Sequence, residues 1–367
     1  MTNKMCRCSH DPREGIRRLV RSAFNVGILV AALAATPSRA ADAPIRLEVV
    51  GGLAAVSQYT KFEAPFWTRD VSQLTQGRVQ AEIHPFDQSG LPAEEMLQLM
   101  RLGVVPFGTA LLNAVSGDEP ELNAVDLPLL NPDMASLRNT VKLYRAHLHQ
   151  ILREKYGIEL LGVYAYPAQV LYCTQPFITL NDLAGRRVRT SAVSQSELMS
   201  ALGAIPMVIP FSEIVSAIKN NVVDCAITGT MSGNQIGLPE VTSYIYPMSI
   251  SWGLSFFGAN GAAWDQLPPD IRDTLQSGIR KLELAIWESA DQETASGLAC
   301  DIGSSACAGG KIFHMNLVPI KAEDEAQREL LLSKSILPRW IQRCGNDCVA
   351  AWNETLGTAL GIQAPVD

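Results

Sequence analysis

The chain of 367 residues carries 30 Lys and Arg against 37 Asp and Glu, with 47% hydrophobic and 18% charged residues, a balance that excludes disorder and leaves length for two domains. Its formal net charge of -7 offers no basic surface to a phosphate backbone or an anionic bilayer, so neither nucleic acid nor a membrane surface is expected as a partner.

Residues 1–40 read as an export signal. Arg13, Arg17, Arg18 and Arg21 precede an apolar run over 23–35, which is too short to span a bilayer. Ser38-Arg39-Ala40 then supplies small residues at both positions a signal peptidase requires. An uncleaved anchor is the competing reading, disfavoured because no other segment approaches membrane length. Cleavage near Ala40 leaves 23 basic against 35 acidic residues, net -12. An exported chain this acidic needs a local cation to hold an anionic ligand.

Cysteine usage agrees with an oxidising compartment. Cys300 with Cys307, and Cys344 with Cys348, read as two local bridges; a four-cysteine zinc site is the rival, and these spacings match it poorly. Cys173 and Cys225 sit in apolar, strand-like runs and read equally as buried thiols or as a pair.

In chain order, strand patterns at 46–52, 78–86, 159–166, 205–209 and 222–227 alternate with helical patterns at 59–75, 92–102, 137–156, 194–202 and 212–220. This predicts an α/β protein with open sheets, whose ligand lies at strand ends. Residues 268–299 form one long helical pattern, equally suited to bracing two domains or to lying on one.

Catalytic groupings are scarce, so no enzyme is expected; an exported hydrolase is kept as a minority reading, beside a binding protein that serves a sensor or receptor. His147 and His149 are two apart and face different sides of a helix, not the i, i+4 spacing of a metal pair. His84 before Pro85 reads as structural. Gly229-Thr-Met-Ser-Gly233 resembles a nucleophile elbow only superficially. Neither a cofactor motif nor a metal site emerges.

The most specific stretch is 178–224. Asp182-Leu-x-Gly185 leads to Val188-Arg189, followed by Ala201-Leu-Gly-Ala204, Pro210-Phe-Ser-Glu213 and Val222-Val-Asp224. Gly90-Leu-Pro-x-Glu94, Asp126-Leu-Pro128 and Trp264 to Pro268 extend the series. In that order these motifs resemble the exported solute-binding subunits of TRAP (tripartite ATP-independent periplasmic) transporters, of the dicarboxylate-binding DctP type, from about residue 46 to 295.

The resemblance implies a two-lobed periplasmic-binding-protein fold with open mixed sheets, crossing strands and a long bracing helix. Lobe I would comprise 41–167 and 251–293, and lobe II 168–250 and 294–367. It implies a periplasmic monomer that hands a small organic acid to TRAP permease subunits. It also places the carboxylate-holding guanidinium on Arg189, since strand alternation alone cannot separate Arg189 from Arg187.

Departures from the family pattern bear on the substrate. Gln169 stands where many members carry a second arginine, Cys225 for a glycine and Thr228 for an asparagine; the segment 109–115 lacks the charges of sugar-acid binders. Phe211 fits a cleft-lining aromatic, and Trp252 lies at the return crossing. The expected ligand is therefore an organic acid with an apolar or aromatic body, held by Arg189 with Gln169, Thr228 and Asn113 as neutral partners. In such folds Cys173 can fall beside Cys225.

Overall fold

The computed structural model describes residues 43–364; the expected export signal lies outside the described residues. Two mixed sheets form its framework. The first is built from β1 (Ile45–Gly51), β2 (Val79–Pro85), β3 (Phe107–Leu111), β4 (Ile158–Tyr164) and β10 (Ser255–Asn260), in the order β2-β1-β3-β10-β4. The second is built from β5 (Gln169–Cys173), β6 (Arg187–Thr190), β7 (Ile205–Val208), β8 (Cys225–Gly229), β9 (Tyr244–Ser251) and β11 (Asn316–Leu317), in the order β11-β9-β5-β8-β6-β7. β1 pairs in parallel with β2 and β3, β10 runs antiparallel to β3 and β4, and β5 runs antiparallel to β8 and β9. The chain changes sheet between β4 and β5 and returns between β9 and β10, so the fold is two-lobed α/β with crossing strands.

Local chemistry sets the element ends. Asp133 Oδ1 accepts from the Ser136 amide at 2.7 Å and caps helix Met134–Tyr156, which Gly157 closes at φ +62°. The strand expected at 222–227 begins three residues late, at Cys225. Asn221 adopts a left-handed φ of 54°, and the Val222 amide still donates to Ala217 at 2.9 Å, so the helix exit consumes those residues.

The long helix Pro269–Asp301 spans both layers, about 50 Å at 1.5 Å per residue. On the first sheet, Trp287 Nε1 donates to Val163 O at 2.7 Å. Farther along, Thr294 Oγ1 accepts from the Ala168 amide of the first crossing at 3.0 Å. Gly297 then lies so close to helix Thr230–Gln235 that a Cβ there would sit 2.2 Å from the Met231 nitrogen. The helix therefore braces both lobes.

Bridges join Cys300 to Cys307, Cys344 to Cys348, and Cys173 to Cys225. The last pair sits directly opposed on β5 and β8, both residues fully buried. Beyond residue 321 a run of helices, where the sequence patterns fade, touches both lobes. Trp340 Nε1 donates to Pro120 O at 2.8 Å, while Arg343 pairs with Glu197 at 2.8 Å.

Candidate ligand-binding cleft

Three arginines crowd the start of β6, and their partners separate them. Arg186 donates to the carbonyls of Gln175, Pro176 and Asp182, and Arg187 pairs with Asp224 at 2.6 Å. Arg189 is 3% exposed and has no carboxylate within ion-pair reach among the described residues. Its Nε donates to Ile209 O at 2.8 Å and Nη1 to Ile227 O at 2.7 Å, leaving Nη2 without a protein acceptor among the described residues. Burial alone lowers its proton affinity, to a pKa of about 9, so it stays charged at neutral pH. A buried cation held only by neutral carbonyls calls for an anion.

Arg189 borders a cavity of about 690 Å³ between the two sheets. Leu53, Phe86, Leu91, Val208 and Phe211 contribute apolar wall, and Gln169, Thr228, Asn113 and Ser191 polar wall. Five of the six residues singled out from sequence thus meet here: Arg189, Gln169, Phe211, Thr228 and Asn113. A relay crosses the cleft: Asn113 Nδ2 donates to Ser191 Oγ at 3.0 Å, Ser191 Oγ to Gln195 Oε1 at 3.1 Å, and Gln195 Nε2 to Gln169 Oε1 at 2.6 Å.

Trp252 requires correction. It does not line the cleft; its ring is 2% exposed and Nε1 donates to Asn131 O at 2.9 Å. The cavity is reached instead by Gly253, at φ +71°, where a Cβ would lie 2.3 Å from Gln169 Nε2. Asp126 dictates this turn: its carboxylate accepts from the amides of Trp252 at 2.8 Å and Gly253 at 2.7 Å. Those bonds pin the second crossing and turn the indole into the core.

Sequence reasoning also missed Asp87, Tyr166, Ser191 and Gln195, and took Glu94 only as part of a motif. Ser191 had a signal available, two residues past Arg189 at the end of the same strand. Glu63 lies fully buried behind the cleft, accepting from Thr109 Oγ1 at 2.5 Å and the Gly52 amide at 2.9 Å; burial pushes its carboxyl up to about 7. Among the described residues no His, Cys, Asp and Glu cluster could hold a metal ion.

Residues 51–301 match the model of the bacterial extracellular solute-binding protein family 7, DctP. The chain belongs to this family. It is a TRAP-type solute-binding protein, and the family consists of extracytoplasmic binding receptors, not enzymes. Among its relatives, the C4-dicarboxylate-binding periplasmic protein DctP of Rhodobacter capsulatus is 26% identical, covering 76% of this chain and 81% of that one. A Bordetella pertussis extracytoplasmic solute receptor binding pyroglutamic acid superposes with a TM-score of 0.73 at 21% identity, covering 84% of this chain and 98% of the other. A TRAP solute-binding protein from Desulfovibrio salexigens with bound orotic acid gives 0.73 at 17%, covering 84% and 96%. Among the described residues no helix is long and apolar enough to cross a membrane.

Proposed function

We propose that this chain captures a small organic acid in the periplasm, holds its carboxylate on Arg189, and delivers it to TRAP permease subunits. The observation that carries the reading is the buried, acid-free guanidinium at the wall of a ligand-sized cavity. Lobe I (41–167 and 251–293) and lobe II (168–250 and 294–367) close on the ligand, with Asn113 and Ser191 meeting across the gap. Gln169 and Thr228 add neutral contacts. The apolar wall around Phe211 favours an aliphatic or aromatic body over a polyhydroxylated one. Relatives bound to pyroglutamic and orotic acids support a compact carboxylate ligand.

A thermal-shift panel of organic acids on the mature protein tests this. Carboxylates should raise the melting temperature of the wild type and leave Arg189→Ala unmoved. Hits that survive in Arg189→Ala would remove the anchor, and hits confined to sugar acids would overturn the apolar body.

A further inference from the structure

The two walls of the cleft differ in polarity. On the lobe II side the cation is Arg189. On the lobe I side three residues that carry acceptors line the same cavity: Asp87, Glu94 and Asn113. Asp87 spends Oδ1 on the Ala54 amide at 3.0 Å and has no basic side chain within salt-bridge reach among the described residues; Glu94 is likewise unpaired there. Asn113 is only 8% exposed; its Nδ2 donates to Ser191, and its Oδ1 is buried without a hydrogen-bond donor. A second carboxylate on the ligand would meet like charge and an acceptor that can offer it nothing. A cationic donor would instead meet opposite charge from Asp87 and Glu94 and a free acceptor in Asn113.

We infer that the ligand is a monocarboxylate whose far end carries a hydrogen-bond donor, an ammonium group foremost, which Asp87, Glu94 and Asn113 Oδ1 receive while Arg189 holds the carboxylate. The inference rests on the function proposed above and narrows it: a zwitterionic acid with an apolar middle, and not a dicarboxylate. Asp87 and Asn113 set this specificity from inside the cleft, and exposed Glu94 adds a weaker, salt-screened contribution at its rim.

Two matched ligand series test it by titration calorimetry on ligand-stripped mature protein with EDTA present. One is β-alanine, butyrate and succinate; the other is benzoate bearing a para aminomethyl, ethyl or carboxymethyl group. Within a series only the terminal group changes, from ammonium to methyl to carboxylate. The ammonium member should bind at least about tenfold more tightly than the dicarboxylate, since like-charge juxtaposition is strongly unfavourable. In the double variant Asp87→Asn, Glu94→Gln that preference should shrink to about threefold or less, whereas Arg189→Ala should lose every member. The side-chain amide introduced by Asp87→Asn keeps an oxygen for the Ala54 amide, so folding is preserved, and an unchanged melting temperature confirms it.

Tighter dicarboxylate binding by the wild type, or a preference the double variant leaves intact, would overturn the inference while leaving the Arg189 reading standing. Dicarboxylate binding that appears only when calcium replaces EDTA would overturn it too, recasting the acids as a cation bridge. Binding that survives in Arg189→Ala would instead refute the underlying function.

Discussion

Replacing Arg189 by Met should stabilise the empty protein while abolishing its use. Holding this guanidinium in a desolvated site lowers its pKa from 12.5 to about 9, which at 1.36 kcal/mol per unit is a penalty of about 5 kcal/mol. Met fills a similar volume without that penalty, but it strips the Ile209 and Ile227 carbonyls of their donors, at about 1–2 kcal/mol each. The net expectation is a gain of about 1–3 kcal/mol, within the range seen when buried ions give way to apolar side chains. For a chain of this size that is a rise of about 1.5–4.5 °C in melting temperature. The assay is calorimetric or fluorimetric melting of both proteins after denaturation and refolding to remove bound ligand. With a carboxylate added, the wild type should gain stability and overtake or approach the variant. Carboxylate affinity in Arg189→Met should fall by about 2–5 kcal/mol, roughly thirtyfold or more. An emptied variant that melts below the emptied wild type would show that Arg189 is a satisfied structural group, and the anion-receptor argument would collapse.

Gly297→Ala should cost at least about 2 kcal/mol in urea unfolding, because the added methyl strikes backbone atoms of Met231 that cannot rotate away, whereas Gly117→Ala, with open space around it, should stay near neutral. Breaking the Cys173–Cys225 bridge by paired alanines should destabilise by about 4 kcal/mol from its 52-residue separation; the seven-residue Cys300–Cys307 bridge should give about 2 kcal/mol, and the reverse order would count against chain entropy as the source. Glu63, raised from 4.5 to about 7, binds its proton more tightly folded than unfolded. Its contribution is fully present below pH 4.5 and is lost as pH rises towards 7, at about 1.4 kcal/mol per pH unit. Glu63→Gln should flatten that slope in unfolding measured across the window, and an identical slope would exonerate Glu63.

Local pattern carried the sequence reading far. Alternation and capping located β1, β2, β4, β7 and the long helix to within a few residues, because those signals are written in neighbouring side chains. Arg189 emerged from its place in a motif, but what sets it apart from Arg187 is the latter's partner 37 residues downstream, Asp224, which only folding brings into range. The Cys173–Cys225 pair stayed open for the same reason: two apolar strands do not announce which strand is their neighbour. Trp252 misled because an aromatic at a crossing can turn either way, and the choice was made by Asp126, distant in sequence, binding the backbone and not the ring. Asp87, Glu94 and Asn113 line one cavity from separate segments of the chain, which only folding brings to it. The helices past residue 321 had amphipathic residues, yet their partners at Pro120 and Glu197 lay too far upstream to be read.

The Cys173–Cys225 bridge makes a closed loop of everything from the end of β5 to the start of β8, Arg189 included. A protease that nicks the exposed turn at residues 220–222 would therefore release no fragment: the two pieces remain one molecule until a reductant is added. The segment that carries Arg189 thus survives such a cut as a tethered whole.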